Sequence, residues 1–188
     1  MKTGTLLRIA VVVLAMTFAA SMASAQAFNS GGQPIALNAT LEESLTLSLS
    51  ASAVNFALAV GSATNAGSAP ITATTSWVLK PGRTAVTVNA YFANAAAALT
   101  DGAGDNIPSS AVFIANNAGA STALTSTVAF GAANAGYQMA NVAITDANKN
   151  ASRTDAMVFN IDLTGGTLPQ LPAAVYTGTL NIQAQATP

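Results

Sequence analysis

From residue 33 onward the chain alternates between apolar and polar positions. Ile35, Leu37, Ala39 and Leu41 fall two apart, and so do Leu45, Leu47 and Leu49, which are interleaved with Thr46, Ser48 and Ser50. An extended strand turns successive side chains to opposite faces, so each set lies on one side of a strand. The same period returns at Val54, Phe56, Leu58 and Val60, and at Met157, Phe159, Ile161 and Leu163. Near the C-terminus Tyr176, Leu180, Ile182 and Ala184 share a face, with Asn181, Gln183 and Gln185 on the other. Helical spacing is scarce. The pattern predicts strands over 33–41, 44–50, 54–60, 71–79, 84–92, 111–115, 123–130, 138–144, 155–163 and 175–185, with a short helical turn at 95–99. Many short strands with frequent turn signals are the mark of an all-β chain, here an immunoglobulin-like antiparallel β-sandwich.

The turns carry their own chemistry. In Lys80-Pro81-Gly82-Arg83, Pro suits the first central position of a turn and Gly the second. Strands 71–79 and 84–92 are therefore expected to pair as a hairpin. Gly61–Ala69 and Ala93–Pro108 read as loops, and Asp146–Ser152 as a polar loop.

The first residues read as a secretory signal. Lys2 and Arg8 precede the apolar run Ile9–Ala20, and Ala23-Ser24-Ala25 forms a small-residue cleavage site. The run is shorter than the roughly 20 residues a membrane helix requires. The expected organisation is a signal peptide over 1–25 and one domain over 26–188, with an N-terminal extension over 26–41. Gly31-Gly32 makes the start of that extension flexible. No membrane span is expected after cleavage, and the expected location is outside the cell or on its surface, reached through the periplasm.

Composition narrows the chemistry. Charged residues are 7% of the chain, against about 25% in ordinary soluble domains. Without Cys or His, thiol nucleophiles, imidazole bases and most zinc or copper sites are excluded. After residue 25 four cations face seven carboxylates, and no basic patch invites nucleic acid. Lys80 and Lys149 sit in no Ser–Lys motif, so no enzyme and no cofactor are expected. Asp101-Gly102-Ala103-Gly104-Asp105-Asn106 offers oxygen ligands of the type calcium favours, but a solvated loop explains it better, as do self-capping turns for Asp146, Asn148 and Asn150. Adjacent Glu42 and Glu43 point to opposite faces and suit an edge or a bend. Trp77 is expected in the core rather than on a sugar-binding platform. Asn38-Ala39-Thr40 and Asn150-Ala151-Ser152 match the glycosylation pattern by chance.

Two stretches resemble a known family. Ile35–Leu49 (IALNATLEESLTLSL) resembles the start of mature chaperone–usher pilins of the alpha class, where an alternating strand is followed by an acidic step and a second alternating strand. Leu171–Ala184 (LPAAVYTGTLNIQA) resembles the terminal strand of those pilins and of the related spore coat protein U domain, a family that usually carries cysteines. The resemblance implies a fimbrial structural subunit that assembles by strand addition, with itself or a periplasmic chaperone as partner. Ile35, Leu37 and Leu41 would then be the anchors that enter a neighbour's groove. The alternatives are that 33–41 is simply the first strand of a self-complete sandwich, or that the chain is a monomeric extracellular carbohydrate- or ligand-binding module.

Overall fold

The computed structural model describes residues 30–188 in two units. The expected signal sequence, 1–25, lies outside the described residues. The described part of the first unit, residues 30–40, has no regular secondary structure. The strand expected over 33–41 is therefore absent: no described backbone pairs with it, and alternation alone does not supply the hydrogen-bond partner a strand needs.

The second unit, Leu41–Pro188, is all-β and antiparallel. Its strands are β1 (Ser44–Leu49), β2 (Asn65–Ala66), β3 (Ile71–Val78), β4 (Ala85–Tyr91), β5 (Leu99–Thr100), β6 (Asn106–Ile107), β7 (Val112–Asn116), β8 (Thr122–Ala123), β9 (Gly136–Ala143), β10 (Asn150–Ile161) and β11 (Asn181–Thr187). One sheet has the order β1-β3-β10-β7-β8, with β2 paired to the end of β10. A second sheet has the order β11-β4-β9, and β5 pairs with β6 as a separate ribbon. Short 3-10 turns occupy Ser109–Ala111 and Leu168–Gln170.

Side chains that alternate between buried and outward positions build the core. β3 buries Ile71, Ala73, Thr75 and Trp77 on one face. β10 buries Asp155, Met157, Phe159 and Ile161, and β4 buries Val86, Val88 and Ala90. These inner faces, one from each sheet, share one hydrophobic cluster. A smaller cluster of Trp77, Leu79 and Val86 is completed by Leu45 and Ala186.

The structure corrects several expectations. β3 and β4 are consecutive but do not pair; they belong to different sheets. The turn at Pro81-Gly82 reverses the chain as expected, with Gly82 at φ +93, but carries it from one sheet to the other. Turn chemistry specifies a reversal but not whether the two strands then pair with each other or with strands distant in sequence. Residues 54–60 form only an isolated bridge, Phe56 with Gly67. Residues 95–99 are not helical; Asn94 Oδ1 instead caps the N–H groups of Ala96 and Ala97. The strand expected over 123–130 shrinks to β8, whereas β10 starts at Asn150, inside the stretch read as polar loop. The terminal strand starts at Asn181 rather than at 175.

Candidate functional site: an open seam between two edge strands

β1 and β11 are the outer strands of their sheets and lie beside one another. Their unpaired edges follow from the pairing pattern. Ile144 N–H donates to the Thr84 carbonyl at 2.8 Å, so that carbonyl turns towards β9 and the Ala85 N–H, trans to it across the same peptide, turns towards β11. Backbone groups alternate sides along a strand, so Ala85, Thr87, Asn89 and Tyr91 turn towards β11. Their partners Thr187, Gln185, Gln183 and Asn181 therefore face β4, while Ile182, Ala184 and Ala186 turn N–H and C=O away from it. On the other sheet Ser50 N–H donates to the Thr72 carbonyl at 2.9 Å, which by the same alternation turns Leu45, Leu47 and Leu49 away from β3. Among the described residues no strand pairs with either edge. All seven residues of β11 are only half-buried, although Ile182 and Ala184 pack against the core.

The seam is closed at one end. There the Glu43 carboxylate accepts from Arg83 Nε at 2.8 Å and Nη2 at 3.2 Å, with Lys80 Nζ at 3.6 Å. Arg83 Nη1 also donates to the Ala186 carbonyl at 3.3 Å. Its hydrogen bonds to Glu43 hold that carboxyl at about 2, and the pairing raises the guanidinium's own pKa. Thr84 Oγ1 donates to the Pro188 carbonyl at 2.6 Å, and Leu45 and Ala186 both pack against the cluster of Trp77, Leu79 and Val86.

At the other end the seam opens into a groove of about 710 Å³. One wall is Leu49 and the segment 51–58, the other the segment 174–182, and the floor includes Ile71, Met157, Phe159 and Ile161. Leu49 is 44% exposed and Val175 80%, so its rim is apolar and wet. The far wall is fixed by a reciprocal pair of 2.9 Å bonds between Thr100 and Thr177. Gly178 permits this approach, because a Cβ there would run into the Ala98 carbonyl. Tyr176 Oη donates to the Pro172 carbonyl at 3.0 Å, and burial, helped by the charges of Asp105 and Asp101, raises its phenol pKa.

The residues singled out from sequence fall as follows. Ile35, Leu37 and Leu41 are 83%, 91% and 83% exposed. Ile35 and Leu37 belong to the first unit and Leu41 opens the second. Asp101 Oδ1 accepts the backbone N–H groups of Ala103, Gly104 and Asp105, which lower its pKa and commit the oxygen to its own loop. Asp146 pairs with Lys149, and Asn148 Oδ1 caps the Thr145 N–H. No cluster of three metal-binding side chains occurs among the described residues. Trp77 is buried and donates Nε1–H to the Asn148 carbonyl at 2.8 Å. Glu42 is exposed, but Glu43 is a partner in the clamp. Sequence reasoning missed Arg83 and the free edge of β11.

The chain matches no family model, no curated protein and no solved structure.

Proposed function

We propose that this chain is a secreted or surface-displayed structural subunit that assembles by strand addition, in the manner of the pilin-like proteins it resembles. In this reading the two sheets are an immunoglobulin-like sandwich short of one edge strand. The observation that carries it is the coincidence of an unpaired β11 edge with an apolar groove beside it. An added strand satisfies backbone groups along that edge while its alternate side chains fill the groove.

The occupant is the segment Gln33–Leu41 of a second copy. Ile35, Leu37 and Leu41 are large, exposed and spaced to enter one groove together. Burying each contributes about 1.5–3 kcal/mol, set against the entropy of association. Chain polarity favours a neighbour over self-insertion. Glu43 sits at the closed end of the seam beside Ala186, so the chain's own segment could lie only parallel to β11. Every pair in both sheets is antiparallel, and a second copy's segment can enter in that sense. A periplasmic chaperone that lends a strand before assembly fits the same groove.

The test is a comparison of the mature chain with one lacking Gln26–Leu41, which leaves every strand in place. The mature chain is expected to form a ladder of oligomers on unheated gels and in sedimentation. The shortened chain is expected to keep its β-sheet circular dichroism and remain a monomer. A mature chain that stays monomeric at high concentration overturns the proposal.

A further inference from the structure

We infer that Arg83 is a positioning residue that sets where an added strand must stop. The inference rests on the strand-addition reading. The free edge of β11 presents three backbone pairs, at Ile182, Ala184 and Ala186. At the third the carbonyl is already engaged: it accepts Arg83 Nη1–H at 3.3 Å, so the guanidinium stands where the backbone of an added strand would have to lie. The other arms of the guanidinium are held by Glu43 through a forked pair at 2.8 and 3.2 Å, so Arg83 is fixed from two sides. A planar, always-charged fork bridging a carboxylate and a carbonyl is a job lysine cannot copy.

The consequence is a register. A strand entering from the open end pairs with Ile182 and Ala184 and is stopped at Ala186. Because side chains alternate, a slip of one residue would turn every anchor out of the groove. A fixed stop therefore decides which of the donor's apolar residues sits deepest. The clamp also holds Glu43, two residues after Leu41, so the same contact fixes the point from which each subunit's own segment departs.

The experiment uses the mature chain carrying Ile35→Ser, Leu37→Ser and Leu41→Ser, which silences its own donor, and a synthetic peptide of the natural sequence Gln33–Leu41. Amide hydrogen exchange is read at Ile182, Ala184 and Ala186 with and without excess peptide. Peptide is expected to slow exchange about tenfold or more at Ile182 and Ala184, and less than about twofold at Ala186. Adding Arg83→Gln is expected to extend the slowing to Ala186. Should that variant unfold, Glu43→Gln, which frees the guanidinium to swing away, is expected to do the same. Equal slowing at all three amides with Arg83 in place overturns the stop, as does a folded clamp variant in which Ala186 remains unprotected. No slowing at Ile182 and Ala184 overturns strand addition itself, a different outcome.

Discussion

Asp155 carries a charge between the sheets. It has no exposed surface, and its carboxylate accepts from Arg153, from Asn117 Nδ2 at 2.9 Å and from Asn116 Nδ2 at 3.2 Å. Asn116 Nδ2 also reaches the Met139 carbonyl at 2.9 Å, so the group ties β7 and β10 to β9 in the opposite sheet. Burial alone would raise this carboxyl's pKa; the Arg153 guanidinium and the two amides outweigh burial and leave it lowered. Asp155→Asn keeps the shape but strands Arg153 and is expected to cost about 3 kcal/mol in denaturant unfolding. The pH dependence follows from the sign. A carboxyl whose folded pKa lies below its unfolded value stabilises the fold fully above the unfolded value of about 3.9, and that stability disappears as pH falls through the folded one. The denaturation midpoint is thus expected to hold from pH 8 to about 5 and to drop below about 4. Asp155→Asn flattens part of that drop, and Glu43, at about 2, contributes at the acid extreme.

Among elements, β11 offers the sharpest contrast, because its two edges do different work. The N–H of Gln183 faces β4 and that of Ala184 faces the open seam. Proline removes one donor wherever it is placed. Gln183→Pro is therefore expected to break the sheet and cost about 3 kcal/mol or more. Ala184→Pro leaves the β4 ladder intact and keeps the fold, as proline is tolerated on edge strands, yet blocks any strand pairing at that point. Thermal unfolding separates the first effect and sedimentation the second. Elements were also where sequence reasoning succeeded and failed most visibly. The alternation in β1 and in β10 from Met157 onward was legible because one face of each packs against the core, whereas β3 was legible from its Thr-, Trp- and aliphatic-rich composition and β4 from following the Pro81-Gly82 turn. The 175–180 stretch has strand composition, but only Thr177 finds a partner, so it is a wall of the groove rather than a strand.

For the whole molecule the question is how copies join. A donor segment and an acceptor groove on different parts of one chain make a head-to-tail contact, which propagates unless the rotation closes a ring. Ile35→Ser with Leu37→Ser and Leu41→Ser is expected to give a chain that accepts but cannot donate; Ala184→Pro gives one that donates but cannot accept. Each alone should remain a monomer. Mixed in equal amounts they should form a dimer and nothing longer, which light scattering will report. Longer species in the mixture would exclude a single donor–acceptor contact. With only 7% charged residues, the assembly is expected to depend little on salt.

The sequence by itself determined that this is a β-protein with one-sided strands, that Trp77 belongs to the core and that thiol and imidazole side chains are lacking. Those properties are local, since side-chain period, turn residues and composition are written along the chain. Only the tertiary structure decided that β3 and β4 part into separate sheets, that β11 has a bare edge, and that Arg83 closes the seam with Glu43 and Ala186. Each of these joins residues distant in sequence. Partner choice is settled by which apolar faces and backbone groups can be satisfied together, a condition on the whole fold that no single stretch records.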